Sequence, residues 1–182
     1  MFEIIAIIVI ILAVAIAIVL VLAATKPNSF SVQRTTTVKA PPEKIFSLVN
    51  DFHQWRTWSP WEDKDPAMNR SYSGAAVGKG AVYAWEGNKN VGSGRMEIID
   101  ASQPSKIVIK LDFFKPFEAH NTAEFTMLPQ GDASNVTTNI NWRMHGPAPF
   151  MSKVMQVFMN IDNMIGKDFE IGLANLRRAT EK

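Results

Sequence analysis

The sequence predicts an α+β protein in which a curved, seven-stranded antiparallel sheet packs around a long C-terminal helix and one transmembrane helix precedes both. Three observations support this prediction. An apolar run of bilayer length comes first, segments that alternate apolar and polar residues follow from residue 30 to 146, and apolar residues then recur every three or four positions. Turn residues separate consecutive alternating segments, so hairpins and an antiparallel sheet are expected.

Composition limits both the size and the chemistry of the protein. The chain has 182 residues, of which 47% are hydrophobic, enough for one domain and a small additional element. It has no cysteine, which excludes disulfides and thiolate metal sites. The formal net charge is only +2 and the cations are dispersed, so the basic stripe that nucleic acid requires is lacking. We therefore expect no nucleic-acid partner, and no motif predicts a cofactor.

The apolar run Ile4–Ala24 would span about 31 Å as a helix, close to the hydrocarbon thickness of a bilayer. We predict a single-pass membrane anchor at residues 1–25 and a linker at 26–29. The alternative is a cleaved signal peptide, for which Val21-Leu22-Ala23 would be a weak cleavage site. The length of the run and the missing basic segment before it favour the anchor. Lys26 and the cations after it favour a cytoplasmic domain, because positive charge concentrates on the cytoplasmic side.

The next elements are a strand and two short helices. Residues 30–39 alternate polar and apolar side chains and predict a strand with one wet face. Ala40-Pro41-Pro42-Glu43 ends it and starts a helix, since proline is tolerated in a first helical turn. Aromatic residues at helical spacing predict a second helix over Asp51–Trp58, which Pro60 ends. A polar loop over Glu62–Pro66 is expected to follow.

The stretch up to residue 146 is expected to supply the other six strands. Each has apolar residues at every second position and is bounded by Gly, Pro or Asn turns. The predicted strands are Met68–Ser73, Gly80–Glu86, Val91–Ala101, Ser105–Phe114, Glu118–Leu128 and Asn135–His145.

The last predicted element is one long helix over Phe150–Arg178, roughly 43 Å in length. Pro149 precedes it, where a proline without an N–H is tolerated. We expect a division at Gly166, because glycine is unfavourable inside a helix. The methionine-rich half Phe150–Ile165 is interpreted as a lid or cavity wall. A place on the bilayer surface is the alternative, although interfacial helices usually carry several cations and only Lys153 is present.

Five motifs occur in one order along the chain: Val38–Phe46, Trp55–Trp61, Gly92–Glu97, Pro116–Glu118 and Asp168–Leu176. Together they resemble the SRPBCC superfamily, which contains START lipid-transfer domains, birch-pollen-allergen-like proteins and polyketide cyclases/dehydrases. The later motifs are similar to the bacterial polyketide-cyclase-like branch. The resemblance implies a helix-grip fold over residues 30–182. It does not assign a reaction, because function varies widely on one fold.

The resemblance also implies a pocket for a hydrophobic ligand between the sheet and the C-terminal helix. Aromatic residues would converge there, and flexible methionines would adapt its walls to an irregular ligand. The alternative interpretation of each aromatic residue is a filled core. The predicted lining residues are Trp55, Trp58, Tyr83, Trp85, Phe113, Phe125, Trp142, Met144, Met151, Met155 and Phe158.

Catalytic motifs are scarce. The sequence contains no Gly-x-Ser-x-Gly, no phosphate-binding loop and no His-Glu-x-x-His, and we assign no catalytic residue.

A cyclase-like enzyme would need acid–base groups in the cavity, and Arg34, Tyr83 and Glu86 are the candidates. Glu118, His120 and Glu124 share one strand face, but that face is expected to meet solvent, so no metal site is assigned.

We therefore predict a membrane-anchored domain that binds a lipid or another hydrophobic small molecule. The alternatives are a polyketide cyclase/dehydrase-like enzyme and a membrane stress-response or regulatory partner without a ligand.

Overall fold

The computed structural model of the protein describes residues 2–132 and 135–181. Met1 and Lys182, which belong to the predicted anchor and domain, lie outside the described residues. Helix α1 is Phe2–Ala24, and its apolar side chains are exposed almost throughout. The helix has 23 residues, nearly all of them apolar, so length and composition allow α1 to cross a membrane. A signal sequence near the N-terminus would have the same properties.

The sheet confirms the predicted seven antiparallel strands and their order along the chain. In space the strands follow the order β1-β7-β6-β5-β4-β3-β2, so only the pairing of β1 with β7 joins strands distant in sequence. Side chains alternate as expected, with one face of the sheet buried and the other wet. The strands are β1 Ser29–Val38, β2 Asn69–Gly74, β3 Ala81–Glu86, β4 Ser93–Ser102, β5 Lys106–Lys115, β6 Ala119–Gln130 and β7 Thr137–Pro147.

Three short helical elements lie between β1 and β2. Helix α2 is Pro42–Asn50, as predicted, and a 3₁₀ helix over Phe52–Thr57 replaces the predicted second helix. Pro60 was expected to end a helix, but it begins helix α3, Pro60–Lys64. The preceding 3₁₀ helix does end before Pro60, and the start of α3 was missed because a proline without an N–H also fits the first turn of a helix.

The predicted single C-terminal helix is two helices, α4 Phe150–Phe158 and α5 Ile161–Thr180. The break lies at Met159 and Asn160, whose backbones are extended, and the Asn160 side chain accepts a hydrogen bond from the Asn163 N–H at 3.0 Å. This asparagine cap starts a new helix. The expected division at Gly166 is therefore wrong.

Gly166 and Gly172 are explained by close contacts instead. A Cβ on Gly166 would overlap the guanidinium of Arg34, which reaches across from β1. That guanidinium bonds Glu170 at 2.7 Å and Asp162 at 3.0 Å on α5. A Cβ on Gly172 would lie 2.8 Å from Cζ3 of Trp142. Both glycines allow α5 to approach the sheet closely.

The core lies between the inner face of the sheet and the layer formed by α2, the 3₁₀ helix, α3 and α5. Helix α5 packs over β1, and its buried side chains include Phe169, Leu173 and Leu176. Helix α4 packs chiefly against α1, and none of its apolar side chains packs against the core. The N-terminal half of the predicted long helix is therefore a separate element.

Candidate ligand-binding site

The middle of the inner face is filled by tightly packed aromatic rings. Trp142 on β7 stacks on Phe169 of α5, with ring centroids 4.0 Å apart, and on Phe125 of β6 at 4.8 Å. Trp58 and Trp55 contact each other at 4.6 Å, and both meet Phe125 edge to face. At most 4% of each of these side chains is exposed. These predicted lining residues therefore form a packed core in the structure.

A second aromatic group continues toward β5, and it is less covered. Tyr83 and Trp85 on β3 have centroids 6.0 Å apart, and Trp85 meets Phe113 of β5 edge to face at 5.8 Å. Tyr83 is buried, whereas Trp85 and Phe113 are half-buried. The Trp85 indole donates to the carbonyl of Val91 at 3.0 Å, which fixes its orientation. Aromatic surface therefore reaches the edge of the core at β3–β5.

The methionines divide between two places. Met144 is buried on the inner face of β7, with the aromatic core. Met151, Met155 and Phe158 lie on α4, where Met151 is 63% exposed and Phe158 is 71% exposed. The structure therefore brings eight of the predicted lining residues together and places these three beside α1. The eight are Trp55, Trp58, Tyr83, Trp85, Phe113, Phe125, Trp142 and Met144.

A buried polar network adjoins the second aromatic group. The guanidinium of Arg70 donates to the Glu62 carboxylate at 2.6 and 2.9 Å, and the Tyr83 hydroxyl donates to the same carboxylate at 3.1 Å. Burial, together with the charge and hydrogen bond of Glu62, raises the pKa of Tyr83 above its usual value. The hydrogen bond with Glu62 raises the pKa of Arg70. Tyr83 therefore stays a protonated hydrogen-bond donor at neutral pH.

Sequence reasoning missed Glu62 and Arg70. Glu62 lies in a stretch predicted to be a polar loop, and the five residues of α3 are too few to show a helical pattern. Arg70 pairs with Trp85 across β2 and β3, which puts it on the inner face, and a cation is not expected there. The signal that could have found Arg70 is the period-two alternation of β2, which places Arg70 and Tyr72 on one face.

Several buried polar atoms have no hydrogen-bond partner in the part of the chain that the structure describes. They include the Tyr72 hydroxyl, the Trp142 indole nitrogen and the Asn121 side-chain oxygen. Buried polar atoms normally have partners, because leaving one unpaired costs about 1–3 kcal/mol.

The other residues considered for chemistry lie elsewhere. Arg34 holds α5 against β1, and its hydrogen bonds with Asp162 and Glu170 raise its pKa. Glu86 is exposed and pairs with Lys115 at 3.2 Å. Neither side chain joins Tyr83, so the three acid–base candidates do not form one site.

The face that carries Glu118, His120 and Glu124 is the wet face of the sheet. His120 bonds Asp112 at 2.7 Å, and this hydrogen bond raises the pKa of His120. Burial alone would raise the pKa of Asp112, but hydrogen bonds from His120 and Lys110 leave it below its usual value. Among residues 2–132 and 135–181, no three His, Asp or Glu side chains are grouped so that they could hold a metal ion.

Two grooves of about 500 and 470 Å³ lie along the sheet. Lys110, His120, Arg143 and His145 are among the lining residues of the first, and Asn69, Glu86 and Phe114 among those of the second. No residue of the C-terminal helices lines either groove, so neither is the pocket predicted between the sheet and the C-terminal helix.

Comparison with solved structures finds the same fold in distant proteins. A protein of Nitrosospira multiformis matches with a TM-score of 0.58 at 18% identity, over 83% of this chain and 96% of its own. Major latex-like protein 151 of Panax ginseng matches with a TM-score of 0.59 at 10% identity, over 86% of this chain and 100% of its own. The di-domain ARO/CYC BexL of the BE-7585A biosynthetic pathway matches with a TM-score of 0.56 at 12% identity, over 88% of this chain and 53% of its own.

The comparison with protein families covers the whole sheet and both C-terminal helices. No curated protein matches the sequence. Residues 29–181 match the family described as "Polyketide cyclase / dehydrase and lipid transport". This range includes β1 through α5 and leaves out α1. The chain therefore belongs to the polyketide cyclase/dehydrase and lipid transport family.

Proposed function

We propose that this protein is a membrane-anchored domain that binds a lipid or another hydrophobic small molecule against the inner face of its sheet. The ligand would lie beside Trp85 and Phe113, where aromatic surface reaches the edge of the core. Helix α1 would hold the domain at the membrane that supplies the ligand. Because the sequence has no cysteine, single cysteines can be introduced and labelled from either side of the membrane, which would test the expected cytoplasmic location of the domain.

The observation that carries this proposal is the half-buried aromatic pair next to a buried polar network. Ligand sites are typically concave and aromatic, with few, well-placed polar groups. Trp85 and Phe113 supply the apolar surface, and the Tyr83 hydroxyl beside Glu62 supplies a polar group nearby. The family description, which names lipid transport, supports the same ligand class.

Native mass spectrometry of the full chain, purified in mild detergent, tests ligand binding. We expect a fraction of the protein to retain a lipid-sized adduct, and Phe113→Ala to reduce that fraction. Phe114→Ala is the matched control, because the next residue of β5 has the same side chain but is 53% exposed. An adduct-free mass for the unmodified protein, or equal adduct loss in the two variants, would contradict the proposal and favour the regulatory partner without a ligand.

The second candidate is a polyketide cyclase/dehydrase-like enzyme, and the Tyr83–Glu62 hydrogen bond is the observation that favours it. The Glu62 carboxylate would take the α-proton of the substrate, and the Tyr83 hydroxyl would move its hydrogen bond from Glu62 to the enolate oxygen. The enzyme would be supported if the protein turns over a poly-β-ketone substrate, if Tyr83→Phe lowers this turnover at least tenfold, and if Glu86→Gln leaves it unchanged. No turnover by the unmodified protein would exclude it for that substrate class.

A further inference from the structure

The most exposed side chains of helix α4 are apolar, and its polar side chains are partly covered. Phe150, Met151 and Phe158 are 51%, 63% and 71% exposed, whereas the polar Ser152 and Gln156 are only half-exposed. The Gln156 side-chain nitrogen is buried. A helix on a water-soluble surface shows the reverse arrangement, with its apolar stripe facing the core. The outer side of α4 is therefore suited to an apolar environment.

The position of α4 places that side at the end of the apolar helix α1. Ala23 is the one buried residue of α1, and α4 is the helix packed against α1. Two contacts hold α4 there: the Lys153 amine bonds the side chain of Asn28, and the Ala148 N–H donates to the Asn28 carbonyl at 2.8 Å. The exposed face of α4 therefore continues the apolar surface of α1 where that helix ends.

The β5–β6 loop lies at the same end of the sheet. Strand β1 begins there at Ser29, which pairs with Pro147, and the antiparallel order places the ends of β5 and the start of β6 at that end as well. Phe117 in this loop is 60% exposed. Two separate elements therefore present large apolar side chains at the end from which α1 leaves the domain.

We propose that α4 and the β5–β6 loop lie in the interfacial layer of the bilayer that α1 spans, so that this end of the sheet rests on lipid. The proposal depends on α1 being a membrane anchor, as proposed above. The occupant of this surface is lipid because the surface is continuous with α1, whose own apolar side chains are exposed all round. Interfacial helices bury an apolar face at this depth.

The charge distribution indicates what kind of membrane is needed. Lys153 is the one cation of α4, and it is already paired with Asn28. Apolar burial, not attraction to anionic headgroups, would therefore hold α4 in the interface. We expect docking on vesicles of uncharged phosphatidylcholine alone, without dependence on added anionic lipid or on salt.

Spin labels at single cysteines in the full chain, reconstituted into phosphatidylcholine vesicles, test the proposal. Position 158 reports on α4, position 11 in α1 reports on the anchor, and position 171 is the matched control. Ile171 is 50% exposed on α5, which runs from Asp162 beside Arg34 to Glu181 beside Lys39, away from α1. Relaxation by oxygen, which concentrates in lipid, is compared with relaxation by a water-soluble nickel chelate.

We expect the oxygen-to-nickel relaxation ratio of Phe158→Cys to exceed that of Ile171→Cys several-fold and to approach that of Ile11→Cys. If only position 11 is in lipid, the anchor stands and the docking proposal is overturned. If position 11 is also in water, the anchor itself fails and the docking fails with it. Dipolar broadening between labels at position 158, without oxygen exposure, would overturn the proposal by showing that a second copy covers α4.

Discussion

The buried ion pair between Glu62 and Arg70 allows a quantitative test of the polar network. Glu62→Gln keeps the shape of the side chain and removes its charge. Only 12% of Arg70 and 9% of Glu62 is exposed, so the arginine charge would remain buried without its partner. The Arg70 guanidinium would keep its bond to the Met68 carbonyl at 2.6 Å.

The expected cost follows from this burial. Removing one partner of a buried ion pair destabilises a protein by about 3–5 kcal/mol, and the remaining bonds of Arg70 place this variant near the lower value. The matched control is Glu97→Gln, because Arg95 and Glu97 pair at 2.9 Å but are 35% and 33% exposed. A pair with that exposure contributes about 0–1 kcal/mol. The two variants should therefore differ by about 2 kcal/mol or more.

Thermal unfolding of the full chain in detergent, followed by tryptophan fluorescence, measures the difference. For a domain of this size, about 3 kcal/mol corresponds to a fall in melting temperature of roughly 6–12 °C, against about 0–4 °C for the control. Tyr83→Phe, which removes the hydroxyl bonded to Glu62, should cost less in the Glu62→Gln background than alone, because the bond to a charged acceptor is already weakened. Equal losses for the two glutamine variants would refute the conclusion that burial makes this pair important.

Three further predictions test the helices and the outer face. Gly172→Ala should destabilise the protein by about 1 kcal/mol, because overpacking against Trp142 costs about 1–3 kcal/mol and exceeds the gain in helix propensity. In a Trp142→Phe background the same substitution should be stabilising. Additive effects of the two substitutions would contradict the close contact. Asn160→Ala should cost about 1 kcal/mol by removing the cap of α5; a neutral change in unfolding free energy would show that the cap is unimportant. His120→Asn should lower the unfolding free energy by an amount that depends on pH. Because the pKa of His120 is raised in the folded protein, its contribution to stability is complete below pH 6.5 and is lost as pH rises through the raised pKa. Because the pKa of Asp112 is lowered, its contribution is complete above pH 3.8 and is lost as pH falls through the lowered pKa. The unmodified and variant proteins should therefore differ most in unfolding free energy between those values, and a constant difference across pH would contradict the ion pair.

The alternation of side chains along the strands was predictable because the period of a strand is a local property. Ile107, Ile109 and Leu111 are buried on one face of β5, as their spacing predicted. The same holds for the apolar run of α1, whose length alone predicts a helix that can cross a bilayer. Among the strand pairings, only that of β1 with β7 required the whole fold, since the paired residues range from Val38 with Thr138 to Ser29 with Pro147, about a hundred or more positions apart.

The break between α4 and α5 was not predictable from periodicity. Apolar residues recur at helical spacing on both sides of Met159, and a continuous helix fits that pattern equally well. Asn160 is an ordinary residue inside a helix and a good cap at its start, so the sequence permits both. The packing of α4 against α1 and of α5 against β1 decides between them, because the two partner surfaces lie in different places.

The candidate site shows the same division. Which residues are apolar and which strand face each occupies could be predicted, because both depend on a few neighbouring residues. The fold places Trp142 in a packed stack, leaves Trp85 and Phe113 at the edge of the core, and brings Arg70 to Glu62. It also decided that α4 turns its phenylalanines outward beside α1. Coverage by a distant segment sets each of these outcomes, and local sequence carries no information about which distant segment arrives.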